Sequence, residues 1–314
     1  MPISTEDATR FAQTFAGLVD GVSVALLDKV PTIRLALTTM LAGGHLLLED
    51  APGTGKTALA RAMAAVISGS HSRIQFTPDL LPSDITGVSM YDQKTGEWGF
   101  HAGPVFAQIV LADEINRASP KTQSALLEAM EEKQVTVEGE TRALPWPFFV
   151  IATQNPHDQL GTYALPESQL DRFLMRISLG YPERVAEREL LSGNGRRDML
   201  EQLPAVLNAE DLAALQQAVG RVHVAEPLLD YVQDLVAATR NGRWFLQGLS
   251  PRAGIALMRA ARAQALISGR DYVAPDDVQA ILPQCVAHRM IPVSDAGRGA
   301  VEQVRAMIDA VPLP

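Results

Sequence analysis

The sequence predicts an α/β fold built on a parallel sheet, followed by a smaller all-helical region. Three observations predict it. Leu46-Leu47-Leu48-Glu49 is a short apolar strand that leads through a Gly/Pro turn into an amphipathic helix carrying Leu59, Ala60, Met63, Ala64 and Ile67. Two further near-continuous apolar runs, 109–114 and 148–155, end in polar residues, as strands buried on both faces do. From about residue 182 onward only helical stripes remain, among them Leu228, Val232, Leu235 and Val236.

The turn itself carries chemistry. Asp50-Ala51-Pro52-Gly53-Thr54-Gly55-Lys56-Thr57-Ala58 joins strand to helix as a phosphate cradle does. Gly53 and Gly55 let the backbone curl so that several N–H groups face one anion, and the opening helix adds unpaired N–H groups and the positive end of its dipole. Lys56 brings a point charge to the β- and γ-phosphates, and Thr57 brings a hydroxyl to Mg²⁺. The strict pattern G-x-x-x-x-G-K-[ST] has Gly where this chain has Asp50. Asp tolerates a left-handed turn, so the loop can close, provided the carboxylate points away from the phosphates.

Taken in order, residues 4–19 read as a helix with a Ser4/Asp7 capping box, and 27–42 as a second, ended by Gly43-Gly44. Residues 73–76 read as a strand. Residues 78–87 start like a helix and stop, and aromatics around Gln93-Lys94-Thr95-Gly96 predict a β-hairpin. A helix is expected to resume near Gly103-Pro104. The strand 109–114 closes on Asp113 and Glu114, at the end where α/β sheets place ligands. Asp113 suits the Mg²⁺ shell, and Glu114 suits a residue that polarises a water for in-line attack. A helix over 119–132, a second hairpin turning at Glu138-Gly139, and the strand 148–155 follow. The last ends in Gln154-Asn155, where Asn155 suits a water-orienting or phosphate-touching role. A short helix, 167–173, precedes a last strand, 174–179. The expected division is an α/β core over 1–185 and a helical lid over 186–314, with Ser250-Pro251 and Pro275 opening lid helices.

Composition excludes several classes. The formal charge of −9 and pI near 5.2 argue against a large nucleic-acid surface. One cysteine, Cys285, excludes an internal disulfide and fits a reducing compartment. No apolar run approaches the ~20 residues of a membrane span. The N-terminal residues lack a basic signal-peptide region, so a cytoplasmic location is expected.

These motifs, with Leu111-Ala112-Asp113-Glu114-Ile115-Asn116-Arg117, Ala152-Thr153-Gln154-Asn155-Pro156, 165–173 and Leu249-Ser250-Pro251-Arg252-Ala253, resemble the AAA+ ATPases of the MoxR family. Gly96-Glu97-Trp98 and 100–105 are similar too, so the resemblance covers about residues 20–290. It implies a five-stranded parallel sheet with helices on both faces, two β-hairpin inserts lining a pore, and a helical lid. It also implies ATP and Mg²⁺ as cofactors. Asn155 resembles sensor 1, and Arg252 resembles sensor 2, a lid arginine that reaches the phosphates. Arg172 resembles an arginine finger acting on ATP held by the next subunit, which requires a homo-oligomeric ring, commonly a hexamer. Members act as chaperones that remodel or mature enzyme complexes, often assisting metal or cofactor insertion and often beside von Willebrand A-domain proteins.

Spacing alone makes Arg172 and Arg252 ordinary surface cations. Alternatives are a magnesium-chelatase-like motor subunit and a nucleic-acid translocase related to minichromosome-maintenance helicases. Against the translocase, the Glu138-Gly139-Glu140-Thr141-Arg142 tip is mixed to acidic, where a strand-tracking loop is basic. A nucleotide-gated scaffold without catalysis is a further alternative. The six histidines form no zinc pattern. Cys285 reads as a core residue. Trp98 and Phe100 are expected to fix their hairpin against the sheet rather than grip a substrate. Arg117 and Lys121 either face a neighbouring subunit or are solvated.

Overall fold

A computed structural model describes residues 3–51, 53–94, 96–155, 161–192, 203–293 and 299–314. Pro52 and Pro156, both within motifs above, lie outside the described residues. Helices α1 (Thr5–Ser23) and α2 (Val30–Leu41) lead into β1 (Leu46–Glu49), the cradle loop and α3 (Lys56–Val66). Then come β2 (His71–Gln75), α4 (Pro82–Thr86), and the hairpin β3 (Gly87–Asp92) and β4 (Glu97–Ala102). After β5 (Ile109–Asp113) and α5 (Pro120–Glu132) comes a second hairpin, β6 (Gln134–Val137) and β7 (Glu140–Ala143). β8 (Phe149–Gln154), α6 (Glu167–Leu170) and β9 (Met175–Ile177) complete the α/β part. The helices α7 (Arg184–Leu191), α8 (Ala209–Val219), α9 (Glu226–Arg240), α10 (Pro251–Ile267), α11 (Pro275–Val286) and α12 (Ala300–Ala310) follow.

The sheet is five-stranded and parallel, in the order β2-β5-β8-β1-β9. Its central strands are buried on both faces, which is why they read as continuous apolar runs. Two apolar clusters cover the faces. One joins Val110, Leu126, Leu127, Phe148 and Val150 on the side of α4 and α5. The other runs from Phe11 and Phe15 of α1 through Leu46 and Ile151 to Leu257, Leu266 and Ile281 of the last helices. The helical region thus shares a core with α1, α2 and the sheet. Caps act where expected: the Ser4 and Ser250 hydroxyls accept the N–H groups of Asp7 and Ala253, both at 3.1 Å.

Several expectations need correction. α1 runs to Ser23, because Val19 and Val22 continue its buried stripe. No helix resumes at Gly103-Pro104. Only six residues separate β4 from β5, and they are pinned by Val105 N–H to the Ile85 carbonyl (3.2 Å) and by the Ser72 hydroxyl to the Pro104 carbonyl (2.6 Å). Trp98 does not anchor its hairpin to the sheet: it is 71% exposed and meets Tyr91 across the strand pair. Phe100 does anchor, but against Phe106 and under the guanidinium of Arg142, which joins one hairpin to the other.

Candidate active site

The loop after β1 closes as its glycines permit. Gly53 and Gly55 have φ of +82° and +98°, a region costly to any residue with a Cβ, and Gly55 caps α3. The Thr54 hydroxyl donates to the Ala51 carbonyl at 3.2 Å, and the buried Lys56 ammonium donates to the carbonyls of Asp50 (3.0 Å) and Ala51 (3.4 Å). Asp50 turns away from the loop. Its carboxylate accepts the Ser178 hydroxyl (2.7 Å) and the backbone N–H groups of Leu179 (2.5 Å) and Gly180 (2.9 Å). The residue that departs from the glycine pattern thereby ties the loop to the chain leaving β9.

One strand, β5, brings both acids, and the adjacent β8 aligns them. In a regular strand consecutive side chains point to opposite faces. Glu114 breaks that alternation with left-handed dihedrals (φ 57°, ψ 50°), so Asp113 and Glu114 face the same cavity. Thr153 of β8 fixes both: its hydroxyl donates to Asp113 Oδ1 at 2.7 Å and accepts the Glu114 N–H at 2.8 Å. Arg73 Nη2 donates to Asp113 Oδ2 at 2.6 Å, and Glu114 Oε2 accepts from Gln75 Nε2 (3.0 Å) and Arg117 Nη1 (2.9 Å). Arg117 thus faces its own chain's acid, while Lys121 is exposed. Asn155 follows β8, is buried, and lies beside the loop, because the Asp50 N–H donates to the Gln154 carbonyl at 3.2 Å.

Lys56, Thr57, Arg73, Gln75, Asp113 and Glu114 line a cavity of about 420 Å³ with Gly53, Gly55 and Ala58. Those last three residues also border a recess of about 180 Å³ walled by Ala25, Leu26, Leu27, Pro182 and Ala186. A charged recess and an apolar one meeting over the same glycines suit a nucleotide's phosphates and base. The Thr57 hydroxyl and Asp113 carboxylate are hard oxygen donors of the kind Mg²⁺ takes. Among the described residues no cluster of three or more His, Cys, Asp or Glu offers another metal site.

Arg172 and Arg252 lie elsewhere. Both line a separate cavity of about 300 Å³ with Gly43, Gly44 and His45, which precede β1, so it sits at the opposite end of that strand from the loop. Both bind one carboxylate: Arg172 Nη2 meets Glu131 Oε2 at 3.0 Å, and Arg252 Nη1 meets Glu131 Oε1 at 2.8 Å. The structure brings these two arginines together and does not bring them to Lys56.

Sequence reasoning gave no role to Thr153, Arg73, Gln75, the 25–27 wall or Glu131. Arg73 and Gln75 carried a faint signal, since two polar residues at i and i+2 share a strand face. Glu131 carried another, because a carboxylate in the last turn of a helix opposes the dipole.

This geometry is that of an AAA ATPase. Residues 45–175 match the family described as ATPase family associated with various cellular activities (AAA), and 237–309 match the AAA lid domain. The chain is 45% identical to Chaperone MoxR1 of Mycobacterium tuberculosis, over 94% of this chain and 80% of that one. It is 48% identical to the uncharacterized protein YeaC of Bacillus subtilis, over 94% and 93% of the two chains. A crystal structure from Cytophaga hutchinsonii superposes with a TM-score of 0.89 at 35% identity, covering 98% and 97%. Chloroplast magnesium-chelatase subunit ChlI-1 of Arabidopsis thaliana aligns over only 58% of this chain, at 25% identity. The chain belongs to the MoxR family of AAA+ ATPases.

Proposed function

We propose that this chain hydrolyses ATP to drive remodelling or maturation of a client protein complex, with each active site completed by an adjacent copy in a ring, commonly of six. One observation carries this: the phosphate loop with its acids, and the arginine pair, occupy separate cavities of one chain. A single copy holds both halves of a phosphoryl-transfer site but cannot join them, whereas a head-to-tail ring can.

Within the site, backbone N–H groups of residues 53–58 cradle the phosphates, and Lys56 leaves the Asp50 and Ala51 carbonyls for the β- and γ-oxygens. Thr57 and Asp113 are the residues that would hold Mg²⁺, which would supply positive charge to the phosphate oxygens. Glu114 polarises the attacking water, which Asn155 orients. Arg172 and Arg252 of the next copy neutralise charge developing on the γ-phosphate. The core over 1–185 supplies the loop and the lid over 186–314 supplies Arg252. The relative named as a chaperone supports a protein client. Assistance to metal or cofactor insertion and a von Willebrand A-domain partner belong to the same proposal. Among the described residues no helix is long and apolar enough to cross a membrane, and a cytoplasmic location is consistent with the lone thiol.

Mixing tests the central claim. Lys56→Ala chains are expected to lack turnover, and Arg172→Ala chains to bind ATP yet lose about a thousandfold or more in rate. Mixed one to one, intact loops meet intact arginines and ATPase activity returns. A mixture no more active than its separate components would refute completion between copies.

A further inference from the structure

The arginine cavity carries more positive charge than Glu131 can balance. Lys133, Arg172, Arg252, Arg259 and Arg289 line it, against the carboxylates of Glu131 and Asp171. Asp171 is engaged with Arg289 at 3.3 Å, and Glu131 gives one oxygen to each of Arg172 and Arg252. Among the described residues Lys133 and Arg259 form no ion pair. Both are nevertheless directed here. Lys133 ends α5 in a left-handed conformation (φ 54°) that favours glycine, and its ammonium lies 4.4 Å from the Trp146 ring centroid. Arg259 crosses Gly43, where an added Cβ would stand 2.7 Å from its Nη2. Burial holds both cations below their ordinary pKa values, and for Lys133 the neighbouring Arg259 charge adds to the effect. The cavity is therefore short of negative charge while its one bridging carboxylate is already shared.

Glu131 itself is oddly placed. It stands in the last turn of α5, where the helix dipole disfavours a carboxylate, so the two guanidiniums hold it there. A carboxylate that gives one oxygen to each of two arginines makes the kind of two-oxygen contact that a phosphate also makes with arginines. A phosphate brings more charge and a third oxygen, and so can engage Lys133 and Arg259 as well.

Given the phosphate role already proposed for Arg172 and Arg252, we propose that Glu131 is the exchangeable stand-in for that phosphate in the lone chain, and that Lys133 and Arg259 supply the charge that lets a phosphate displace it. The proposal rests on the trans reading of Arg172 and Arg252 for its natural source, the nucleotide of a second copy. Free inorganic polyphosphates share the chemistry. Glu131 is then a holding group that keeps the arginines paired in the lone chain and yields only to an anion of higher charge.

Calorimetry with inorganic pyrophosphate tests the cavity in dilute full-length Lys56→Ala protein, whose own loop is disabled. One site is expected, binding about tenfold tighter when Glu131→Gln is added and about tenfold weaker when Lys133→Gln and Arg259→Gln are added together. Thermal midpoints within a few degrees of the parent confirm that these variants are folded. Unchanged affinity on Glu131→Gln, or weakening, overturns the stand-in role, and no binding at 0.15 M salt overturns displacement by a phosphate. A second arm titrates Lys56→Ala donor chains into Arg172→Ala chains. Adding Glu131→Gln to the donor should lower the amount needed for half-maximal ATPase severalfold. A response to pyrophosphate without that shift would assign the cavity to free anions and overturn its trans source. If the unmodified donor restores nothing, the reading under Proposed function fails, and the pyrophosphate titration still judges the cavity.

Discussion

The carboxylate of Asp50 accepts the backbone N–H of Leu179 at 2.5 Å, across 129 positions of sequence. With the Ser178 hydroxyl and the Gly180 N–H on the same carboxylate, it fastens the phosphate loop to the chain leaving β9. Asp50→Ala leaves buried donors unpaired and should cost about 3 kcal/mol of stability. Urea unfolding measures this, and a loss below about 0.5 kcal/mol, within the range of an ordinary surface change, would show the tie to be dispensable.

Glu114→Gln keeps the side-chain shape and its bonds from Gln75 and Arg117 within reach, but removes the carboxylate charge proposed to polarise the water. ATP binding should persist while turnover falls roughly a hundredfold or more. A variant that hydrolyses ATP at the parent rate would remove Glu114 from the mechanism.

His45 is a buried neutral imidazole. It accepts the Val150 N–H at Nδ1 and donates from Nε2 to the Met130 carbonyl, both at 3.1 Å, which pins α5 just before Glu131. Burial pulls its pKa down to about 4. The unfolded chain takes up this proton near the ordinary 6.5 and the folded chain only near 4, so the unfolded state binds more protons between those values. Stability contributed by neutral His45 is complete above pH 6.5 and falls by about 3 kcal/mol as pH drops to 4. Urea midpoints from pH 7 to 4 should fall more steeply in the parent than in His45→Gln. Parallel profiles would contradict the assignment.

Cys285 is fully buried in α11, and burial pushes its thiol up to about 12. It should resist alkylation in the folded protein and react once the chain unfolds, with a rate that tracks global opening. Rapid labelling under native conditions would place it elsewhere.

Much of the site was legible because it is local. The loop, Lys56, Thr57 and the Asp113-Glu114 pair are each written in a few consecutive residues whose periodicity fixes strand, turn and helix. The hairpins were legible for the same reason, since Glu138 and Gly139 adopt the positive φ values their turn needs. The link from Gly103 into β5 was misjudged, because what prevents a helix there is contact with Ile85 and Ser72 rather than any neighbour in sequence. Trp98 was misjudged because exposure is a property of the packed sheet and hairpin together.

The sequence by itself determined that a phosphate cradle and two acids close the C-terminal ends of parallel strands, since backbone dihedrals and side-chain alternation act over a few residues. Only the tertiary structure decided that Thr153 would align both acids, that Asp50 would reach Leu179, and that Arg172 and Arg252 would share Glu131 away from Lys56. Those partners lie about 40 to 130 positions apart. The strand order β2-β5-β8-β1-β9 and the core shared by sheet and late helices bring them together, which no local preference encodes.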